Sequence, residues 1–308
     1  MSSVTKSPAR ATSATRRRRP GAGREAFWAV VFIVPVLLAL VVLRIIPTIT
    51  AVASSLQTAP PGGLLPATFN GLGNYIQLFG DPAFLHTVGL TVFFNVIINP
   101  LQILLALLIA VLLTRNVAAK GVWRTMIFIP VTVPIVGSSI VWAAALAPNG
   151  PVNALIEALG GQPQKFLGSP DQALWCIMVI ASWIGIGYWM LFLISGIEAL
   201  PEDVFEAARL DRSGPVRTFF QITIPLLRRP LLFVLVADTV ANFVLFAPIQ
   251  ILTQGGPQSS TNLLMFDAYQ TTYTYGSTNQ GSAEIVILAA IMLVFVLLQF
   301  VLLREERS

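Results

Sequence analysis

The sequence predicts an all-α membrane protein with six transmembrane helices, and its composition and hydropathy are the basis for this. Of the 308 residues, 55% are hydrophobic and 11% are charged, and the mean hydropathy is +0.77. A soluble domain usually carries about 25% charged residues. Apolar stretches of the roughly 20 residues needed to cross a bilayer recur along the chain. They predict spans at about 27–54, 86–114, 124–147, 172–198, 231–253 and 282–303.

The distribution of basic residues predicts that both termini are cytoplasmic. In that orientation all but two of the 19 Lys and Arg residues fall in cytoplasmic segments, which is the asymmetry that orients helical membrane proteins. The exceptions are Lys165 in an outer loop and Arg44 within the first span. The predicted organisation is a disordered basic tail over 1–24, a six-helix transmembrane domain over 25–304 with a cytoplasmic segment at about 199–230, and a cytoplasmic tail over 305–308.

The amino-terminal end allows two other interpretations. The basic run at 16–19 is compatible with nucleic-acid binding, but no basic stripe with interleaved aromatic residues exists elsewhere. We therefore expect no nucleic-acid partner. A cleaved signal peptide is the second alternative, because 51–54 offers small residues for cleavage. The apolar segment at 27–50 is longer than the roughly 7–15 residues of a signal core, which favours a retained span.

Motifs that carry enzymatic chemistry are missing from the sequence. It contains neither the phosphate-binding loop G-x-x-x-x-G-K-[ST] nor the hydrolase elbow G-x-S-x-G. The single histidine, His86, and the single cysteine, Cys176, do not suffice for a metal cluster. We therefore expect a chain that is not an enzyme, with no catalytic residue, metal or cofactor of its own. Any energy from a nucleotide must come from another chain.

Several shorter features predict local structure. Residues 70–84 are typical of a short amphipathic or re-entrant element, and 150–160 have apolar residues at helical spacing. Pro130 and Pro134 predict a kink in the third span that neighbouring helices can support.

A charged segment, EAARLDRSGP at 206–215, interrupts the apolar sequence between the fourth and fifth spans. Residues 201–203, Pro-Glu-Asp, suit the first turn of a helix, and the Gly214–Pro215 pair is a helix breaker. The small side chains of Ala207 and Ala208 permit close approach of a partner backbone. A cytoplasmic linker with a solvated charged face is the plainer alternative.

This segment resembles the EAA loop of bacterial ABC-importer permeases, in which EAA-x-x-D-G-A is followed by F-x-x-I-x-x-P. The matching positions are Glu206, Ala207, Ala208, Asp211, Phe219, Ile222 and Pro225. In that family the loop is the coupling helix, which docks into a groove of the ATPase. The resemblance implies that role for Glu206, Ala207, Ala208, Arg209, Asp211, Arg212 and Gly214. Arg212 replaces the family glycine, so Gly214 and Pro215 are an alternative place for the turn.

Segments 71–84, 120–142 and 251–269 resemble the carbohydrate branch of the same permeases. The resemblance implies the MetI-like permease fold in a bacterial cytoplasmic membrane, and uptake of a sugar or oligosaccharide. The implied partners are a second, non-identical permease, two ABC ATPase copies that bind ATP and Mg, and an extracytoplasmic solute-binding protein. Import of glycerol phosphate or a glycerophosphodiester is an alternative within the family. A secondary transporter is the alternative from another class.

Polar and aromatic residues within the spans are candidates for the solute path, because such residues are costly in lipid. They are Asn95, Asn99, Trp183, Tyr188, Asp238, Asn242 and Phe246, with Gln102 and Trp189 beside them. In the fifth span Asp238, Asn242 and Phe246 recur every four residues, which predicts one continuous stripe. Amides, carboxylates and aromatic rings suit a sugar. The alternative is hydrogen bonding between helices without contact to solute.

Overall fold

The computed structural model of the protein describes residues 22–59, 66–114 and 117–303, without the side chains of 22–26, 29 and 209. The predicted tails at 1–21 and 305–308 lie outside the described residues. Residues 22–24 belong to the first helix rather than to a disordered tail, because the helix begins at Ala22. The architecture is helical as predicted, apart from one hairpin of two short strands.

The described residues form 15 α-helices and a few short π or 3₁₀ turns. The first half contains α1 (Ala22–Leu40), a π-helical turn (Val41–Ile45), α2 (Ile46–Ser55), β1 (Gln57–Thr58), β2 (Thr68–Phe69), α3 (Gly73–Gly80), α4 (Pro82–Thr114), α5 (Lys120–Thr132), α6 (Ile135–Ala145) and α7 (Pro151–Ala158). The second half contains a 3₁₀ turn (Phe166–Gly168), α8 (Pro170–Glu198), α9 (Glu202–Leu210), α10 (Pro215–Thr218), a π turn (Phe219–Thr223), α11 (Ile224–Leu226), α12 (Arg228–Phe243), α13 (Ala247–Leu252), α14 (Leu264–Tyr269), a π turn (Gln270–Thr274) and α15 (Thr278–Leu302).

Five helical segments among the described residues are long and apolar enough to cross a membrane. They are Val30–Ser55, Pro82–Thr114, Pro170–Glu198, Arg228–Leu252 and Thr278–Leu302. Each coincides with a predicted span to within a few residues. The short element predicted at 70–84 contains α3, and the helical spacing predicted at 150–160 is present as α7.

The predicted third span, 124–147, is not one helix. It forms α5 and α6, which are bent by 97° relative to each other at the break between them. The residue before a proline is disfavoured in the helical conformation, and Val133, which precedes Pro134, is extended with φ −85° and ψ 126°. The kink predicted from the prolines is therefore a complete break. If the bent pair counts as one span, the structure has up to six.

The chain divides into two compact units, Met1–Thr50 and Ala51–Ser308. In the first unit, the π turn before α2 has a local cause in Pro47. Proline has no N–H to donate and its ring collides with the carbonyl one turn earlier. The turn widens there, and the N–H of Ile46 reaches back five residues to the carbonyl of Val41. The helix passes the proline without ending.

Three buried apolar clusters stabilise the second unit. The first packs the later halves of α4 and α8 against α12. The second packs the earlier halves of α4 and α8 against α13 and α14. The third joins α3 and the start of α4 to α14 and α15. Helices α4 and α8 therefore form the centre of this unit.

The second unit has two ends that are defined by α4. At the carboxyl end of α4, Arg124 Nη2 contacts the carbonyl of Leu113 at 3.2 Å and the carboxylate of Glu198 at 2.7 Å. We call this the basic end. Helix α9 begins at Glu202, shortly after α8 ends here at Glu198. At the amino end of α4 lie the β-hairpin and α3, which we call the hairpin end. A helix rises about 1.5 Å per residue, so these ends are about 50 Å apart.

The close contact between α5 and α8 depends on Gly187. A Cβ atom at this position would collide with the carbonyl oxygen of Ile127. We expect Gly187→Ala to force α5 and α8 apart and to lower the free energy of unfolding by about 1–3 kcal/mol. The measurement is the thermal unfolding midpoint of the purified protein. Gly89→Ala in α4 is the control, because no atom lies within 4 Å of its added Cβ. Equal destabilisation by both substitutions would contradict this explanation.

Candidate functional site

The charged segment folds into the predicted helix α9, with Glu202 and Asp203 in its first turn. Acidic side chains there are stabilised by the partial positive charge of the helix amino terminus. Asp203, Glu206 and Leu210 are exposed and follow one another at helical spacing, with Ala207 exposed beside them. Ala208 lies on the other face and is buried. Helix α9 thus presents one amphipathic face that no described residue covers.

The turn after α9 is made at Arg212 itself. Arg212 has φ 53°, in the left-handed region that glycine adopts most easily, and the N–H of Ser213 donates to the carbonyl of Ala208 at 2.9 Å. This is the hydrogen bond of a Schellman helix end, which usually has glycine at the left-handed position. Gly214 is extended, with φ −65° and ψ 160°. The alternative that Gly214 and Pro215 make this turn is therefore wrong, although Pro215 does begin α10.

The segment that follows α9 is anchored on one side and open on the other. Phe219 and Ile224 pack against the first apolar cluster. Val216 and Phe220 are exposed, as are Asp211, Arg212 and Gly214. The side chain of Arg209 lies outside the described residues. An exposed surface of carboxylates and large apolar side chains is suited to binding another protein.

Arg124 joins the ends of three helices beside α9. It lies near the start of α5 and holds both the last turn of α4 and Glu198 at the end of α8. The exposed fractions of the two side chains are 25% and 53%, so the ion pair contributes little stability. Its contribution is to fix the point from which the chain continues into α9. From the sequence, Arg124 was one of the basic residues that predict orientation. Its ion pair with Glu198 was not predictable, because the two residues lie 74 positions apart in the chain.

Three of the predicted solute-path residues, Asn95, Asn99 and Asn242, are joined in one buried hydrogen-bond network, and a fourth, Asp238, bonds to Trp189 beside it. Asn242 Nδ2 donates to Asn99 Oδ1 at 2.8 Å and to Gln102 Oε1 at 3.1 Å, which joins α12 to α4. Asn99 Nδ2 lies 3.4 Å from Asn95 Oδ1. Trp189 Nε1 donates to Asp238 Oδ1 at 2.5 Å, which joins α8 to α12. These contacts connect three membrane-spanning helices.

Two further side chains, Thr239 and Gln299, belong to this network and were not predicted. Thr239 Oγ1 accepts from Asn99 Nδ2 at 3.1 Å and from Gln299 Nε2 at 2.6 Å, which brings α15 into the network. Gln102 Nε2 donates to the carbonyl of Ala181 in α8 at 3.2 Å. Gln299 is a polar residue near the carboxyl end of an otherwise apolar helix, and this was the feature of the sequence that could have identified it.

The burial of the network supports the interhelical alternative. Asn95, Asn99 and Asp238 are at most 2% exposed, and Asn242 is 5% exposed. Asp238 Oδ2 has no hydrogen-bond partner among the described residues. Such side chains bind helices to one another and fix how they cross. Contact between these four residues and a solute remains a prediction.

Within the described part of the chain, the aromatic candidates make no hydrogen bond in the network, although Tyr188 packs edge-on against Trp189 with 4.7 Å between ring centroids. Trp183 and Tyr188 are exposed on α8, and Trp183 packs edge-on against Trp142 with 5.6 Å between ring centroids. Phe246 is half-buried against Tyr269, with 4.6 Å between centroids. The predicted continuous stripe from Asp238 to Phe246 is wrong, because α12 ends at Phe243. Pro248 lacks an N–H and cannot continue the hydrogen bonding of α12, so Phe246 instead precedes α13.

The network should contribute to stability through Asn242. Asn242→Ala removes the donor to Asn99 and Gln102 and leaves both buried oxygens with one partner fewer. We expect the free energy of unfolding to fall by about 1–3 kcal/mol, measured by thermal or denaturant unfolding in detergent. Asn149→Ala, at an exposed loop position, is the control and should change nothing. Unchanged stability of Asn242→Ala would contradict the proposed role of the network.

The left-handed turn should become less strained when glycine occupies position 212. A non-glycine residue in this conformation costs about 1–2 kcal/mol, and the greater freedom of unfolded glycine cancels part of that. We expect Arg212→Gly to stabilise the end of α9 and to slow amide hydrogen exchange at 207–213. Gly214→Ala should be tolerated, because its backbone is extended and its Cβ meets no atom within 4 Å. Disruption by Gly214→Ala, with no effect of Arg212→Gly, would contradict this assignment of the turn.

Comparison with known proteins places this chain in a family. A family model described as "binding-protein-dependent transport system inner membrane component" matches residues 102–305. In fold, the chain is similar to a chain of a bacterial ABC transporter involved in the import of the acidic polysaccharide alginate. The TM-score is 0.74 at 17% identity, over 92% of this chain and 98% of that one. A second structure, of a bacterial alginate transporter with an alginate pentasaccharide-bound periplasmic protein, gives 0.76 at 19% identity, over 93% and 97%.

Curated relatives that match most of this chain are transport permeases. The lactose transport system permease protein LacF of Rhizobium radiobacter is 29% identical, over 90% of this chain and 94% of its own. The sn-glycerol-3-phosphate transport system permease protein UgpA of Brucella abortus is 32% identical, over 77% and 81%. The trehalose/maltose transport system permease protein MalF of Thermococcus litoralis is 29% identical, over 92% and 96%. With its membrane-spanning helices and the helix α9 between two of them, the chain belongs to the family of inner-membrane permease components of binding-protein-dependent ABC transport systems.

Proposed function

We propose that this chain is one of two non-identical permeases of an ATP-driven importer for a sugar or oligosaccharide. An extracytoplasmic binding protein delivers the solute, and the two permeases enclose its path. Membership of the permease family supports this role, and relatives named for lactose and for trehalose or maltose support the solute class. The family's dependence on a binding protein speaks against the alternative of a secondary transporter.

The observation that carries the proposal is the uncovered amphipathic face of α9 at the basic end. Arg124, Arg212, Arg217 and Arg228 lie at or near this end, and basic residues favour the cytoplasmic side of a membrane. The basic end and both termini then face the cytoplasm. In this proposal α9 binds one of two ATPase copies, which hold the ATP and Mg and carry out the hydrolysis, while the permease has no catalytic residue.

The packing suggests how movement of α9 reaches the solute path. The chain enters α9 from α8 and leaves it towards α12, and both helices pack in the first apolar cluster. The hydrogen bond between Trp189 and Asp238 also joins α8 to α12, and Asn242 joins α12 to α4. In this proposal α4, α8 and α12 move as one body when the ATPases close. The bent pair α5 and α6 lies against that body, because α5 packs on α8.

Apart from Arg44 in the first span, the charges of the membrane-spanning helices favour a neutral solute. The helices α4, α8 and α15, and α12 after its first turn, contain amides, hydroxyls and carboxylic acids but neither lysine nor arginine. A phosphate would lose its hydration without gaining a cation from these helices. A glycerol phosphate or glycerophosphodiester solute is nevertheless the second candidate, because the Brucella glycerol-phosphate permease is 32% identical to this chain.

The seven predicted solute-path residues then divide into two groups. Trp183, Tyr188 and Phe246 have accessible rings that suit the apolar faces of a sugar. The buried residues Asn95, Asn99, Asp238 and Asn242 would support the wall of the path through the polar network.

The coupling role of α9 is tested by reversing the charge of its exposed face. We expect Glu206→Lys to reduce co-purification of the ATPase and solute-stimulated ATP hydrolysis by at least about tenfold, the effect of about 1.4 kcal/mol of lost binding. Both are measured on the complex that is reconstituted with all of its subunits.

The matched control is Glu157→Lys, an exposed glutamate in α7. Helix α7 is tied to the start of α8 through Asn153, Gln164 and Gln172, far from the basic end. ATPase co-purification should be unchanged in this variant. Normal co-purification and stimulation in Glu206→Lys would refute the coupling role.

The solute class is tested by identifying what the cognate binding protein retains. Mass spectrometry of the purified binding protein should find a neutral mono- or oligosaccharide. A retained glycerol phosphate or glycerophosphodiester would decide for the second candidate instead.

A further inference from the structure

Helix α3, at the hairpin end, has three sides with different chemistry. Asn74 and Leu78 are buried against the protein. Leu72, directly before the helix, Ile76 and Phe79 follow one another at helical spacing and are exposed, Ile76 at 74%. Gln77 is exposed on a third side, about 100° from Ile76. A helix with one side against protein, one apolar side and one polar side is suited to a boundary between lipid and water.

The side of α3 that faces the protein is held firmly. Asn74 Nδ2 donates to the carbonyls of Ser55 at 2.8 Å and Gln57 at 2.7 Å. The hydroxyls of Tyr75 and Ser55 lie 2.7 Å apart. Leu78 packs in the third apolar cluster with residues of α4 and α15. These contacts fix the orientation of α3, so its apolar side remains exposed.

The surroundings of α3 place it at the level where apolar spans end. Helix α2 ends at Ser55, which contacts α3, and α4 begins at Pro82, directly after α3. Helix α15 begins at Thr278, and its Asn279 donates to the carbonyl of Ser54 at 3.0 Å. Three membrane-spanning segments thus begin or end around this one short helix. For helices that are long and apolar enough to cross a membrane, this is the level at which a bilayer surface would lie, whichever side of it is the cytoplasm.

The composition of α3 favours lipid over a protein partner. The helix, GNYIQLFG, carries no charged side chain that would give a protein partner orientation or specificity. It packs on the start of α15, a helix whose most apolar stretch is only 11% buried within the chain. We propose that α3 lies in the surface of the bilayer, with Leu72, Ile76 and Phe79 inserted among the lipid chains.

This placement gives α3 a mechanical role. A helix that is bonded to Ser55, is continuous with α4 and packs on α15 would fix the depth of α4 and α15 in the bilayer. It would hold the hairpin end while the basic end responds to the ATPases. The membrane placement itself does not rest on the proposed solute or on the coupling role of α9.

Nitroxide labels on adjacent positions of α3 test the placement. Cys176, the only cysteine, is replaced by serine, and the label is attached to Ile76→Cys or, as the matched control, to Gln77→Cys. The complete complex is reconstituted in liposomes of phosphatidylcholine and phosphatidylglycerol. Collision rates are measured with oxygen, which concentrates in lipid, and with a water-soluble nickel chelate. Both positions are exposed, so neither label disturbs the core.

We expect the ratio of oxygen to nickel collisions to be severalfold higher at position 76 than at position 77, with and without the binding protein. Nickel access at position 76 equal to that at 77 would overturn the proposal. Exclusion of both probes from position 76 would show that protein covers it, and nickel access lost on adding the binding protein would assign the surface to that protein. Transport by the labelled complex is measured in parallel, so failure here is separable from failure of the proposed function.

Discussion

The amide pair of Asn99 and Asn242 fixes how the central helices of this protein cross. Water is absent from the bilayer core, so buried amides must find partners within the protein. At 2.8 Å, Asn242 Nδ2 bonds to Asn99 Oδ1, and the same amide reaches Gln102. A shift of α12 along α4 by one helical turn would break the bonds from Asn242 to Asn99 and Gln102. The pair therefore sets the register of α12, and with it the position of the segment that begins at α9.

The two ends of the second unit differ in the chemistry of their surfaces. At the basic end, α9 exposes carboxylates and Leu210, and Arg124 holds the helix ends from which the chain continues into α9. At the hairpin end, amide hydrogen bonds from Asn74 and Asn279 tie α3, α2 and α15 together. We propose that the basic end binds the ATPase and that the hairpin end lies in the membrane surface. The polar network lies between them.

The elements were predictable from the sequence where local chemistry decides. The lengths of the apolar stretches predicted the membrane-spanning helices. The acidic residues of the first turn and the alanines that follow predicted α9. The bend of 97° between α5 and α6 was not predictable, because prolines mark where a helix weakens but tertiary contacts decide its angle. The left-handed Arg212 contradicts residue preference, so composition pointed to Gly214 instead. Helical spacing placed Asp238 and Asn242 on one face, but no local rule shows that this face meets Asn99 and Trp189.

The central claim is that the polar network makes α4, α8 and α12 move as one body when α9 is displaced. The most direct test is a pair of electron cryomicroscopy structures of the complete complex in lipid nanodiscs, without nucleotide and with ATP trapped. The two distances to compare are Asn242 Nδ2 to Asn99 Oδ1 and Trp189 Nε1 to Asp238 Oδ1. Both should stay within hydrogen-bonding distance in both states while α9 moves relative to the bilayer. Separation of either pair in one of the states would contradict the account.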